Sequence, residues 1–158
     1  GQSGNPALKD DGDHMSLSHR LGRLSIRTAG PGFHDITSQI TRWLSAERIG
    51  DGLLTLFLQH TSASLTIQEN ADPDVQVDLL AALDRLAPAD AGWIHTTEGP
   101  DDMPAHVKTM LTGVNLAIPV EHGRTMLGTW QGIYLVEHRT RPHDRAISLH
   151  FIGTIDPG

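Results

Sequence analysis

The sequence predicts an α+β fold: one domain built on a mainly antiparallel β-sheet or sandwich, with helices packed on the outside. Three observations carry this expectation. Strand-like and helix-like segments follow one another as strand, helix, two strands, helix, loop, helix. The last third of the chain then holds several strand-like runs in succession, which segregates helices from strands. Finally, 158 residues with no internal repeat and no linker suit one domain, long enough to bury a core without staples.

Taken in order, "RLGRLSIRT" (20–28) alternates and reads as the first strand. After the turn at Gly30, Pro31 and Gly32, residues Ile36, Ile40, Trp43 and Leu44 fall on one helical face, with Gly50 and Gly52 expected to end the helix. "LLTLFLQHTSASLTIQE" (53–69) is rich in β-branched and large apolar residues and reads as two strands broken near Ser62. Asp72 and Pro73 form an N-cap and first helical position, and Val75, Leu79, Leu83 and Leu86 make the expected buried stripe of the helix that follows. In "HTTEGPDDMPAHVKTML" (95–111) a loop runs into a third helix. Asp101 and Asp102 are expected to cap it, Met103, Val107, Met110 and Leu111 to form its apolar face, and Gly113 to stop it. "VNLAIPV", "QGIYLVEHR" and "RAISLHFIG" read as the closing strands.

Residues 1–14, "GQSGNPALKDDGDH", have no apolar period and resemble an expression-tag remnant preceding Met15, which leaves 15–158 as the domain. The net charge of −7 includes −2 from Lys9 against Asp10, Asp11 and Asp13. An acidic balance argues against nucleic acid as a partner. No apolar window is long enough for a membrane span. The absence of cysteine removes disulfides, thiolate metal sites and cysteine nucleophiles together, and fits a cytoplasmic protein. His, Asp and Glu remain as the strong metal ligands.

Ten histidines is a high count for this length. His14 belongs to the tag-like segment; His19, His34, His122 and His143 sit beside turn residues and charges and read as surface groups; His150 lies in an apolar strand as a core or interface residue. His60 continues the inward row Leu54, Leu56, Leu58, so it is either a buried histidine bonded to the backbone or a site residue at the strand's end. His95 and His106 flank the acidic loop. They match no compact zinc motif such as HExxH. Either the loop folds back so that both imidazoles converge near Glu98, Asp101 or Asp102, or the aspartates merely cap the helix and the imidazoles are solvated. Three imidazoles with one open position would suit a transition metal, and carboxylates with water would suit Mg²⁺.

A second polar group lies in "LGTWQGIYLVEHR" (127–139), where Glu137 and Arg139 share a strand face with Ile133 and Leu135. A buried Glu–Arg pair and a phosphate-contacting arginine are both open there. Thr61, Ser62 and Ser64 offer hydroxyls to a phosphate, but no phosphate-loop or dinucleotide fingerprint and no G-x-S-x-G elbow accompanies them.

"QHTSASLTIQENADPDV", "HTTEGPDDMPAHVKTMLTG" and "LGTWQGIYLVEHR" together resemble the YjbQ-like family, over roughly Leu21 to Gly153. The resemblance implies an antiparallel α+β fold, a homotrimer with sites near subunit boundaries, and a polar pocket around the motif histidines that holds a divalent metal ion (Zn, Mg or another). It also implies a secondary thiamine-phosphate synthase activity, which joins a pyrimidine diphosphate to a thiazole phosphate and releases pyrophosphate. Carried onto this chain, His60, His95 and His106 are candidates for metal ligation or acid–base work, with Glu69 and Asp102 beside them. Thr61, Ser62, Ser64, Asn70, Asp101, Lys108, Thr129, Gln131 and Arg139 are candidates for contact with a small phosphorylated metabolite. The alternatives are a metal-dependent hydrolase and a non-enzymatic binder of a small anion or metabolite.

Overall fold

The computed structural model describes residues 16–157. The tag-like segment 1–14 lies outside the described residues. The chain forms β1 (Ser18–Thr28), β2 (Gly32–Asp35), α1 (Thr37–Ala46), β3 (Ile49–Leu58), β4 (Ala63–Glu69), α2 (Pro73–Leu86), α3 (Asp102–Thr112), β5 (Asn115–Glu121), β6 (Arg124–Thr125), β7 (Gln131–Glu137) and β8 (His143–Ile155). This is a single-domain α+β fold whose two sheets are antiparallel throughout.

One sheet has five strands in the order β1-β8-β3-β5-β6, and the other three in the order β2-β7-β4. Alternation sorts the larger sheet cleanly. Leu54, Leu56 and Leu58 of β3, Ile118 and Val120 of β5, and Ile147, Leu149 and Phe151 of β8 point inward and are buried. They meet Leu65, Ile133 and Leu135 of the smaller sheet and Ile36, Ile40 and Leu44 around α1 in one continuous core. In β7 the alternation disappears: every residue from Gly132 to Glu137 is buried, because the strand is central in its sheet and covered on both faces.

Several expectations need correction. Gly50 and Gly52 do not end α1, which stops at Ala46; both lie inside β3. Gly52 is needed there because a Cβ would sit 2.2 Å from the Ile152 carbonyl oxygen, where β3 and β8 approach beside a register shift. The stripe expected to bury α2 fares worse: no residue of that helix is fully buried and Leu86 is exposed. In α3 the buried side is Asp102, Pro104, Ala105 and Thr109, while Met110 is 89% exposed and Leu111 is exposed as well. Small residues let α3 lie close on β4, with the Thr109 hydroxyl reaching the Ala63 carbonyl at 3.3 Å. The helix therefore turns Met110 and Leu111 outward and leaves Met103 and Val107 half-buried.

The outer face of the five-stranded sheet is also apolar in part. Leu21, Leu53, Phe57 and Ile152 are exposed on it, and the register sets Leu53 beside Ile152. His19 and His150 share this face with ring nitrogens 3.3 Å apart. No helix among the described residues is long and apolar enough to cross a membrane.

Candidate functional site

Asp102 and His106 are one turn apart at the start of α3, so their side chains lie on the same face of the helix. That face is turned toward the loop before the helix, which brings in His95. The Asp102 Oδ2 atom lies 2.8 Å from His95 Nε2 and 3.0 Å from His106 Nε2. One ligand-capable atom from each of the three residues falls within 4.8 Å of the other two. Asp102 is buried, His106 is partly covered and His95 is open to solvent, so the cluster has a closed floor and an accessible rim.

The protons around His106 can be counted. Its Nδ1 lies 2.8 Å from the Thr61 carbonyl oxygen, which can only accept, so Nδ1 carries a proton. Burial alone would push the Asp102 carboxyl up. The hydrogen bond from His95 and the charges of His106 and Arg139 outweigh that and hold it below the usual carboxylate range, so Asp102 is ionised. A neutral imidazole has one ring proton. With that proton on Nδ1, the Nε2 lone pair would face a carboxylate oxygen at 3.0 Å. Positive charge belongs between them, as a second ring proton or as a metal ion.

Arg139, just beyond β7, holds the acidic pair. Its Nε donates to Asp101 Oδ2 at 2.9 Å, its Nη1 to Asp102 Oδ1, and its Nη2 to the Glu98 carbonyl at 2.9 Å. Asp101 also accepts the Thr140 backbone N–H and hydroxyl, at 2.9 and 3.2 Å. Burial opposes ionisation of Asp101; the Thr140 N–H and Arg139 overcome it and keep its carboxyl low. Neither aspartate supplies the side-chain cap expected of it. Asp101 occupies the N-cap position of α3 with no side-chain cap bond, because its carboxylate is engaged by Arg139 and Thr140 instead.

Beneath the cluster lies a sealed polar layer. Glu137 and Arg145 form an ion pair, 0% and 2% exposed, in which Arg145 Nε donates to Glu137 Oε2 at 2.7 Å and the Thr28 hydroxyl donates to the same oxygen at 2.7 Å. Ser64 Oγ lies 2.7 Å from His138 Nε2. That spacing suits a nucleophile and its base, but Ser64 is 0% exposed and no reactant can reach it. Burial first, and the Lys108 charge second, push the His138 imidazole down to about 4, so it is neutral.

The remaining candidates divide by position. His60 stays outside the His95–Asp102–His106 cluster: its Nε2 accepts the Ala146 backbone N–H at 2.8 Å. Its neutral ring then carries its proton on Nδ1, which faces Arg145 Nη1 at 3.4 Å, donor toward donor. Burial and then the Arg145 charge accordingly hold His60 below its ordinary value, with Glu137 opposing. Thr61 contributes its carbonyl to the site, and Ser62 is held by Arg145 beneath it. His60, Thr61 and His106 border a groove of about 650 Å³ whose other walls include Phe57, Met110 and Val114. Lys108 turns away to Asp84, at 2.6 Å, and pins α3 to α2.

Glu69, Asn70, Thr129 and Gln131 gather at the opposite end of the smaller sheet. Ala63 pairs with Glu137 at the site end and Glu69 with Gln131 at the other, a separation of about 20 Å along the strands. Glu69 there accepts the backbone N–H groups of Ala71 and Asp72, at 3.0 and 2.8 Å, and Asn70 bonds the Thr129 and Gln131 carbonyls. These four residues shape the entry to α2 and are not brought to the His95–His106 cluster. Residue reasoning missed Arg145 and His138. A signal for Arg145 existed: it falls in register with the inward row Ile147, Leu149 and Phe151, where an unpaired charge is not tolerated.

The sequence profile described as UPF0047 protein YjbQ-like matches residues 22–154. The chain belongs to the YjbQ-like family. It is 47% identical to a UPF0047 protein of Synechocystis, over 84% of this chain and 90% of that one. It is 50% identical to the UPF0047 protein YjbQ of Salmonella typhimurium, over 73% and 85% of the two chains. Among solved structures, a conserved hypothetical protein of Thermus thermophilus superposes with a TM-score of 0.73 at 39% identity, covering 81% of this chain and 97% of that one. A YbjQ-like protein of Sulfolobus solfataricus reaches 0.81 over 87% and 99% of the two chains; at 24% identity it speaks for the fold alone. The span matched to the YjbQ-like profile contains His95, Asp102, His106 and Arg139 as well as the Glu137–Arg145 pair.

Proposed function

We propose that the chain is a metal-dependent enzyme acting on a small phosphorylated metabolite, with His95, Asp102 and His106 as its metal ligands. One observation carries the reading: an imidazole whose proton is committed to a carbonyl turns its other nitrogen toward an ionised carboxylate. The donors fit a divalent ion, since a metal-bound histidine commonly gives its other N–H to a carbonyl. Two imidazoles with one carboxylate favour a transition ion such as Zn²⁺ over Mg²⁺, which prefers oxygen and water. Such an ion would supply positive charge to a phosphate or diphosphate group. The chain's own residues hold the arrangement: Thr61 fixes the His106 ring, Arg139 fixes the Asp102 carboxylate, and the groove beside His60 and His106 offers an apolar wall.

For the specific reaction we propose the one that the resemblance of the sequence motifs implies: formation of thiamine phosphate from a pyrimidine diphosphate and a thiazole phosphate. The thiazole nitrogen would form a bond to the methylene carbon of the pyrimidine as the C–O bond to diphosphate breaks, with pyrophosphate leaving and no change of oxidation state. Arg139 is committed to Asp101, Asp102 and Glu98, so its own charge is not free to meet the diphosphate. We further propose a cytoplasmic homotrimer; the exposed Leu21, Leu53, Phe57 and Ile152 on the outer sheet face support self-association, and the number three is what the resemblance implies.

Elemental analysis of purified protein, followed by a coupling assay with the ion found, tests the reading. Stoichiometric metal that is absent from Asp102→Asn supports the site, and pyrophosphate release dependent on both substrates supports the reaction. Metal with turnover of a simple phosphoester and no coupling would identify a hydrolase. No metal after supplementation would sink the ligand assignment and favour a non-enzymatic binder of a small anion or metabolite.

A further inference from the structure

We infer that the buried Glu137–Arg145 pair positions His106 and Asp102 from two sides at once, and is a positioning pair for the site above it. The inference rests on the reading of His95, Asp102 and His106 as a cation site. A buried ion pair gains little over well-packed apolar side chains of the same volume, because taking both charges out of water offsets their attraction. A pair this deep therefore calls for a role besides stability, and its hydrogen bonds lead to one.

The first arm runs through Glu137. Its Oε1 accepts the backbone N–H groups of His138 and Arg139, at 3.1 and 3.0 Å, and so fixes the chain where it leaves β7. From that point the Arg139 guanidinium reaches Asp102 Oδ1, leaving Oδ2 for the two imidazoles. The second arm runs through Arg145. Its Nη2 donates to the Ser62 carbonyl at 3.2 Å and to the Ser62 hydroxyl at 3.1 Å, which fixes the turn between β3 and β4. The residue before Ser62 is Thr61, whose carbonyl accepts His106 Nδ1–H. Both partners of the His106 ring thus trace back to one pair.

An arginine is required for this. Its planar fork serves the carboxylate and the turn together, whereas a lysine offers a single point of charge. A tilt of the Ser62 turn would rotate the acceptor of Nδ1, and a shift of Arg139 would move the carboxylate facing Nε2.

Two variants test this. Arg145→Lys keeps the charge but not the fork; Glu137→Gln combined with Arg145→Met removes both charges and keeps an acceptor for the two backbone N–H groups. Two quantities are read: Zn²⁺ affinity by competition titration, and the hydrogen-bonded Nδ1–H resonance of His106 by NMR. Ile147→Val, a packing loss on the same strand, is the control. Both variants are expected to weaken Zn²⁺ binding about 10-fold or more and to shift or broaden the Nδ1–H resonance, as is usual when a ligand's support is removed. Ile147→Val is expected to lower the melting temperature and leave both readouts in place. Native affinity and a native resonance in either folded variant would overturn the inference. Failure of both to fold would overturn it too, because the pair would then serve the fold and not the site. A wild type that binds no Zn²⁺ would sink the cation reading, while the resonance would still decide the positioning claim.

Discussion

His106 and Asp102, one helical turn apart, face each other with Nε2 3.0 Å from Oδ2, while the opposite nitrogen of the same ring is held 2.8 Å from the Thr61 carbonyl. An acceptor on each side of one imidazole is stable only with added positive charge between ring and carboxylate. Asp102→Asn removes the negative charge that demands it. Metal affinity is expected to fall at least about 10-fold. The fold should lose on the order of 1–3 kcal/mol, since Arg139 keeps Asp101 as a partner. Metal titration and denaturant unfolding on one preparation check both numbers, and full metal occupancy in Asp102→Asn would exclude the assignment.

His60 and His106 border the same groove but hold different partners, and alanine substitution separates them. His106→Ala is expected to abolish stoichiometric metal binding with little change in stability. His60→Ala should leave metal content unchanged and cost about 1–3 kcal/mol, because the Ala146 N–H loses its acceptor. Equal metal loss in the two variants would restore His60 as a ligand.

The buried His138 makes stability depend on pH. The unfolded imidazole takes up its proton near its ordinary value of 6.5, whereas the folded one resists until about 4. The unfolded state therefore binds more protons between those values, and stability rises with pH across that window. The contribution is complete above about pH 6.5 and is lost as the pH falls toward 4, amounting to on the order of 3 kcal/mol. Urea midpoints at pH 7.5 and pH 4.5 should differ less in His138→Gln than in the wild type; an unchanged difference would show that other groups govern acid unfolding.

Leu53 and Phe57 stand four residues apart on the open face of β3, 40% and 51% exposed. Charges there would disfavour burial against another copy. Leu53→Glu with Phe57→Glu is expected to yield monomers by light scattering while keeping the wild-type circular dichroism. Wild-type protein that is already monomeric would remove the basis for a trimer.

Local signals decided the elements whose partners are near in sequence. The alternation of β1, β3 and β8, the Asp72–Pro73 start of α2 and the Gly113 stop of α3 were legible because each depends on a few consecutive residues. The stripe of α2 lies on the covered side at Val75, Leu79 and Leu83 but is only half-buried, and the face of α3 was misjudged because period marks which side chains are apolar but not what lies opposite. Close contact with β4 selected Ala105 and Thr109 for the inside of α3 and left Met110 out.

For the site, the sequence by itself determined that His95, Asp102 and His106 could meet, since two share a helix turn and the third precedes the same loop. Tertiary structure decided the rest. The antiparallel pairing of β4 with β7 carried Glu69, Asn70, Thr129 and Gln131 to the far end of the sheet and brought Glu137 and Arg139 to the near end. Strand β8 then placed Arg145 beneath them. Together with the Thr28–Glu137 bond, those contacts join residues up to 109 positions apart, and their pairing is set by sheet register and the cost of leaving a buried charge alone.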